Sequence, residues 1–137
     1  MSKTKTEIAV IGGAGFVGSC LSRRFQKGLI DHIKYDIDIS DKSNLVTYLD
    51  VEDADSFDSI SSAHTIINLA AVHRDDIRPL SRYDDVNVQG AVNVCDAARK
   101  HGINSIIFTS SVAIYGFAPT ETSESGEPNY FNDYGRT

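Results

Sequence analysis

Apolar residues fall along this chain in short runs separated by polar, charged or glycine-bearing stretches, with strand-like and helix-like spacings taking turns. Ile8 to Ile11 is the first run and ends in a glycine cluster, which predicts a strand leading into a tight turn. Phe16, Val17, Cys20, Leu21 and Phe25 then recur at helical spacing, and Gly28 after Lys27 is a stop signal. Ile33 to Ile37 alternates around Lys34 and Asp36 as a second strand, and Leu45 to Val51 reads as a third. The gap between these two, residues 38–44, is shorter than the roughly dozen residues of a usual parallel crossover. A trimmed connection with one helical turn at most is expected there.

Asp53 is placed to cap a short helix carrying Ala54, Phe57 and Ile60. Thr65 to Ala71, an apolar run broken by Asn68, has the pattern of a strand buried on both faces. From His73 to Asp85 the chain turns highly charged around Pro79, either a solvated surface loop or the rim of a site. Val86, Gly90, Val94, Ala97 and Ala98 form the apolar stripe of a longer helix; Arg99, Lys100 and His101 complement its negative end before Gly102 stops it. Ser105 to Thr109 is a fifth strand, and residues 120–133 are a polar, turn-rich loop of the kind that covers active sites. Five strands with helices between several of them predict an α/β fold with a doubly wound parallel sheet in a single domain. Ligands of such sheets lie beyond the carboxyl ends of the strands, where Asp36, Asp50, Asn68, Thr109, Ser110 and Ser111 would gather.

Composition narrows the partners. With 41% hydrophobic and 23% charged residues the chain is ordinary globular material, and a net charge of −6 argues against nucleic-acid binding, which needs a basic surface. Cys20 and Cys95 fall on apolar helix faces without metal-ligand spacing and are expected to be packed thiols; the four histidines form no metal pattern either. No secretory signal pattern stands in the polar N-terminus and no apolar run is long enough to span a membrane, so a cytoplasmic protein is expected.

The chemistry begins with Gly12, Gly15 and Gly18. The first allows a sharp turn out of the strand, the second removes a Cβ where a pyrophosphate would approach, and the third lets helix and strand pack closely. The following helix offers unpaired amides and its positive dipole end to phosphates. Asp36 stands eighteen residues beyond Gly18, where a dinucleotide-binding unit places its acceptor for a ribose 2′-hydroxyl. A carboxylate there would repel a 2′-phosphate, which selects NAD over NADP; the plain alternative for Asp36 is a solvated strand end.

Taken in order, GGAGFVG, Asp36, LDV, NLAA, and SSVAIYG followed by YGRT make the chain resemble, from Ile8 to Thr137, the N-terminal part of an extended short-chain dehydrogenase/reductase of the nucleotide-sugar epimerase/dehydratase family. The resemblance implies a Rossmann-type sheet, truncated before its last strands, that binds NAD. It implies that Gly12, Gly15 and Gly18 hold the pyrophosphate, with Phe16 and Val17 also in contact with cofactor, and that Asp36 holds the adenosine ribose. Asp50 and Val51 would border the adenine, Leu69, Ala70 and Ala71 would line the path to the nicotinamide ribose, and Asn87 would support that loop. Core packing is the alternative for Leu69. Tyr134 would be the base towards a sugar hydroxyl, with Ser111 hydrogen-bonding the reacting oxygen and Ser110 as its competitor for that role. A phenol titrates near pH ~10, so work near neutrality asks for a shift worth roughly 4 kcal/mol. In the family a lysine four residues after the tyrosine helps supply it; here that would be residue 138.

The chain is therefore expected to be a fragment whose missing part carries the last strands and the sugar-holding domain. Alone it should bind cofactor weakly, turn over nothing and self-associate through an exposed apolar sheet edge; the full-length protein is expected to be a homodimer. Val112 and Ala113 stand where sugar dehydratases of the family carry an acid and a base, so dehydration is disfavoured. His73 stands either near the nicotinamide or substrate or as a polar loop residue. The expected function is the cofactor-binding part of an NAD-dependent nucleotide-sugar 4-epimerase acting on UDP-hexoses. The alternatives are an NADP-dependent reductase of the same superfamily and a non-catalytic nucleotide-sensing module.

Overall fold

In the computed structural model, which describes residues 7–40 and 45–137, five parallel strands make one sheet in the order β3-β2-β1-β4-β5. They are β1 Glu7–Ile11, β2 His32–Asp36, β3 Val46–Tyr48, β4 Ala63–Asn68 and β5 Ser105–Phe108. Helix α1, Phe16–Lys27, joins β1 to β2. A continuous helical run joins β4 to β5 and comprises α2 (Ser81–Tyr83), a wide π segment (Asp84–Gln89) and α3 (Gly90–His101). A single turn, α4 (Asp133–Arg136), follows the polar loop after β5.

β1 sits at the centre, its apolar carboxyl-terminal part fully enclosed: Ala9, Val10 and Ile11 are buried, with Ile11 pairing with Tyr35 on one side and Asn68 on the other. Alternate residues face opposite ways along a strand. Ala9, Ile11, Ile33, Tyr35 and Ile66 build the core with Phe57, Ile60, Val94, Ala97 and Ala98 of the helical elements. Crossovers are right-handed, and the steps from β1 to β2 and from β4 to β5 run in opposite directions across the sheet, so α1 and α3 lie on its opposite faces. The strand order reverses between β1 and β4, and a crevice opens beyond their carboxyl ends.

Boundaries move where backbone pairing or a polar side chain overrules the apolar pattern. β4 does not run from Thr65 to Ala71: fully buried Ala63 pairs with Glu7 at its start. At its end Asn68 Oδ1 accepts the Ala70 N–H at 3.2 Å, a turn that takes Leu69, Ala70 and Ala71 out of the strand. Of the expected Leu45 to Val51 only three residues stay in the ladder, because Leu49 and Val51 turn into the core. β2 ends at Asp36 and leaves Ile37 exposed. The short helix after Asp53 is a 3-10 turn, capped by the Asp53 carboxylate accepting the Asp55 N–H at 3.0 Å.

The long helix begins at Ser81 rather than near Val86, so the charged stretch is a loop only in its first part. Gly28 closes α1 with φ −87°, and the left-handed residue is Leu29, φ 54°. Part of the expected trimmed connection, residues 41–44, lies outside the described residues. Cys20 and Cys95 are free thiols but only half-buried, because each lies on the flank of its helix rather than on the core stripe. β5 forms the sheet edge, with Ile107 and Phe108 53% and 56% exposed. Among the described residues no helix is long and apolar enough to cross a membrane, and no group of histidine, cysteine or acidic side chains could hold a metal ion.

Candidate active site

The glycine turn is built by backbone contacts that leave no room for side chains. Gly12 has φ +78°, and a Cβ on it would stand 2.8 Å from the Leu69 carbonyl carbon. A Cβ on Gly18 would stand 2.5 Å from Gly12 O, so α1 can lie against the turn only because residue 18 has none. The amides of Gly12 and Gly13 both donate to Tyr35 O, at 2.9 and 3.0 Å, which ties the turn to β2. Gly15 differs from these. It has an ordinary extended backbone, φ −66° and ψ 175°, and apart from its chain neighbours a Cβ there would approach only Gly12 O, at 3.3 Å. Gly15 is the N-cap of α1, no side chain caps the helix, and its first turn carries no acidic residue. The opening residues of α1 line the crevice, and neither a capping side chain nor a first-turn carboxylate meets their amides.

Asp36 points into the same crevice. Its Oδ2 accepts the Ala14 N–H and its Oδ1 the Asp38 N–H, each at 3.0 Å, so the carboxylate is oriented by two amides and each oxygen keeps a lone pair. The crevice holds two clefts, of about 360 and 410 Å³, each within the size range of small-molecule sites. Gly12, Gly15, Phe16, Val17, Gly18, Asp36, Asp50 and Val51 line the first; Asn87, Ser111 and Tyr134 line the second. Val17, Leu69, Ala70, Ala71 and His73 border both, so the two clefts lie side by side with these residues between them. The residues expected to hold cofactor or carry the chemistry thus line one cleft or the other, whereas Asn68, expected at the same edge, lines neither and is buried in the turn that ends β4. Leu69 lines both clefts and is not merely core.

Ser111 caps a 3-10 turn, Val112–Tyr115, its Oγ accepting the Ala113 N–H at 3.1 Å. Ser110 lines the same cleft, so the cap distinguishes the two serines and exposure to the cleft does not. Tyr134 lies in α4, whose start is capped by Asn132 Oδ1 accepting the Gly135 N–H at 2.7 Å. Its ring meets His73 edge to face, centroids 6.3 Å apart, which places His73 at the site rather than in a detached loop. Tyr35 is not a competing base. Burial, with Glu7 nearby, pushes its phenol up to about 12, and its hydroxyl donates to Ser59 O at 3.1 Å.

Asn87 sits in the π segment, buried, and does more than the sequence suggested. It accepts from Val72 N–H at 2.8 Å, donates to Val72 O at 2.9 Å, and donates to Thr137 Oγ1 at 2.9 Å. Glu52 and Arg82 escaped the sequence reading although they line the first cleft, where they form a bidentate pair at 2.5 and 2.7 Å. Buried Tyr83 also escaped it; its hydroxyl donates to Arg74 O and fixes the start of the charged loop. Tyr83, Asn87, Gly90 and Val94 fall at helical spacing, a signal that polar Asn87 concealed.

Fold and site together define a dinucleotide-binding α/β domain with a serine and a tyrosine at the far end of its crevice. The match to known proteins is narrower: residues 8–137 fit the NAD dependent epimerase/dehydratase family, and the chain belongs to that family. It is 39% identical over 95% of its length to an N-acetyl-alpha-D-glucosaminyl-diphospho-ditrans,octacis-undecaprenol 4-epimerase of Escherichia coli O157:H7, covering 40% of that protein. It is 29% identical over 95% of its length to a UDP-glucose 4-epimerase of Rhizobium meliloti, covering 43% of it. Among solved structures it superposes on a UDP-glucose 4-epimerase of Brucella ovis in complex with NAD. That match has a TM-score of 0.85 and 26% identity, and covers 96% of this chain and 44% of the other. The chain thus spans about two-fifths of the length of the curated relatives it matches.

Proposed function

We propose that this chain is the cofactor-binding part of an NAD-dependent sugar 4-epimerase whose substrate carries a diphosphate on the sugar. The observation that carries the reading is the lining the two clefts share, which sets the cleft of Ser111 and Tyr134 beside that of the glycine turn. The residues fit the cofactor. The amides opening α1, freed by the absence of a side chain at Gly15, would hold the pyrophosphate, and Asp36 would take the ribose hydroxyls while repelling a 2′-phosphate. Asp50 and Val51 would border the adenine, with the Glu52–Arg82 pair on the same wall. Ala70 and Ala71 leave space for the nicotinamide half.

When bound, the cofactor accepts a hydride from a carbinol carbon and returns it. The chain's own residues handle the proton. Tyr134 takes it from the sugar hydroxyl while Ser111 donates a hydrogen bond to the same oxygen, and Tyr134 gives it back on reduction. Hydride supplied to the opposite face of the oxidised carbon would invert it. Nothing at Val112 or Ala113 can act as an acid or base, which supports epimerisation over loss of water.

UDP-hexoses are one substrate class this reading allows. The 39% identity to the undecaprenol-linked enzyme favours a second, in which the diphosphate carries a lipid. The test is the full-length enzyme incubated with UDP-glucose, UDP-N-acetylglucosamine and undecaprenyl-diphospho-N-acetylglucosamine, with C4 configuration followed by NMR. Inversion of at least one is expected. Absence of inversion across the panel, or a titration showing preference for NADP, overturns the reading.

A further inference from the structure

The charged stretch from His73 to Asp85 and the helix start beyond it make three links to the tyrosine turn. Asn132 Nδ2 donates to Asp75 Oδ1 at 2.8 Å. Arg136 donates through both terminal nitrogens to the Asp84 carboxylate, at 2.9 and 2.7 Å. Asn87 donates to Thr137 Oγ1 at 2.9 Å. These links bracket Tyr134 on both sides. From another direction Gly135 packs so closely on the Ser111 turn that a Cβ would stand 2.5 Å from Ala113 O. The tyrosine turn is thus set against the serine turn by Gly135 and against the π segment by the arginine. Arg136 also donates through Nε to Asp133 Oδ1 at 3.1 Å, so its guanidinium joins both carboxylates and stands in one orientation.

We infer that Asp84, acting through Arg136, is a positioning residue for the reaction, setting where the Tyr134 phenol stands relative to Ser111 and the cofactor cleft. The inference rests on the epimerase reading above. Its energetic logic is a contrast. A half-exposed ion pair adds little to global stability, whereas displacing a reacting group by about 1 Å costs up to about a hundredfold in rate. The worth of this pair therefore shows in turnover and not in melting.

The experiment compares Asp84→Asn, Asp84→Glu and Tyr134→Phe in the full-length enzyme. For Asp84→Asn we expect kcat to fall about 10- to 100-fold. KM, NAD affinity and melting temperature should stay close to wild type, while amide exchange at Gly135 quickens. Asp84→Glu keeps a bidentate acceptor and should restore most of kcat. An Asp84→Asn enzyme turning over within about twofold of wild type, or losing kcat only together with melting temperature and without rescue by glutamate, overturns the positioning role. If Tyr134→Phe turns over normally, the epimerase reading itself has failed. If Tyr134→Phe is inactive while Asp84→Asn keeps full rate, only the positioning role falls.

Discussion

Gly15→Ala separates what the fold needs from what the ligand needs. The backbone at residue 15 is one that alanine adopts freely, and the new Cβ would meet only Gly12 O, at 3.3 Å. Losing glycine at the N-cap costs about 0.5–1 kcal/mol, and the stiffer unfolded chain returns about 0.4–1 kcal/mol. Net stability should stay within about 1 kcal/mol, a melting shift of roughly 4 °C or less. Gly12→Ala and Gly18→Ala are different. The first forces φ +78° on a residue with a Cβ and a 2.8 Å contact, and the second a 2.5 Å contact with a backbone oxygen. Each should cost about 2–4 kcal/mol.

Binding orders the variants otherwise. A methyl group at Gly15 occupies the approach to the α1 amides and would remove at least one charge-assisted hydrogen bond, about 1.5–3 kcal/mol, or roughly 10- to 150-fold in NAD affinity. Isothermal titration with NAD and thermal melting of the full-length variants measure the two quantities. A Gly15→Ala protein with wild-type stability and wild-type NAD affinity would refute the placement of the pyrophosphate. One that melts as early as Gly18→Ala would refute the reading of the turn.

Three further outcomes follow from the geometry. Asp36→Asn keeps one acceptor oxygen but loses the charge, so NAD affinity should fall about tenfold while discrimination against NADP narrows; competitive titration measures both. Asn87→Ala strands the N–H and C=O of Val72, and calorimetry should show about 1–3 kcal/mol lost. The Tyr35 phenol titrates higher in the fold, about 12, than its ordinary value near 10, so the stability it contributes is whole below pH ~10 and is lost as pH rises towards 12. Melting scans should show that loss in the wild type and a shallower one in Tyr35→Phe.

The parts of this fold carried by local pattern were legible in the sequence. β1, α1 and their glycine turn could be read because three glycines fall at fixed spacing, two of them demanded by the backbone, and α3 because its apolar stripe ends in basic residues and Gly102. The end of β4 could not, because Leu69, Ala70 and Ala71 are apolar for the sake of the crevice and not of a ladder; only the Asn68 side chain turns the chain there. The start of the long helix was hidden by a π segment that sets Asn87 on the buried side and by a run of charges on the exposed one. The glycines and Asp36 declared themselves by residue type and spacing. Tyr134 and Ser111 came from resemblance, and the ties of Asp75 and Asp84 to the tyrosine turn depend on side-chain reach across 57 and 52 residues, which no window along the chain contains.

The bare opening of α1 also bears on how fast an anion arrives. The chain carries a net charge of −6, so a dinucleotide approaching from solution meets a repulsive field at long range and a favourable one only within the last turn of its path. Added salt screens the distant repulsion beyond about 10 Å while leaving the short-range attraction of the helix end largely intact. Moderate ionic strength should therefore hasten capture of the cofactor, the reverse of what a basic cleft would show.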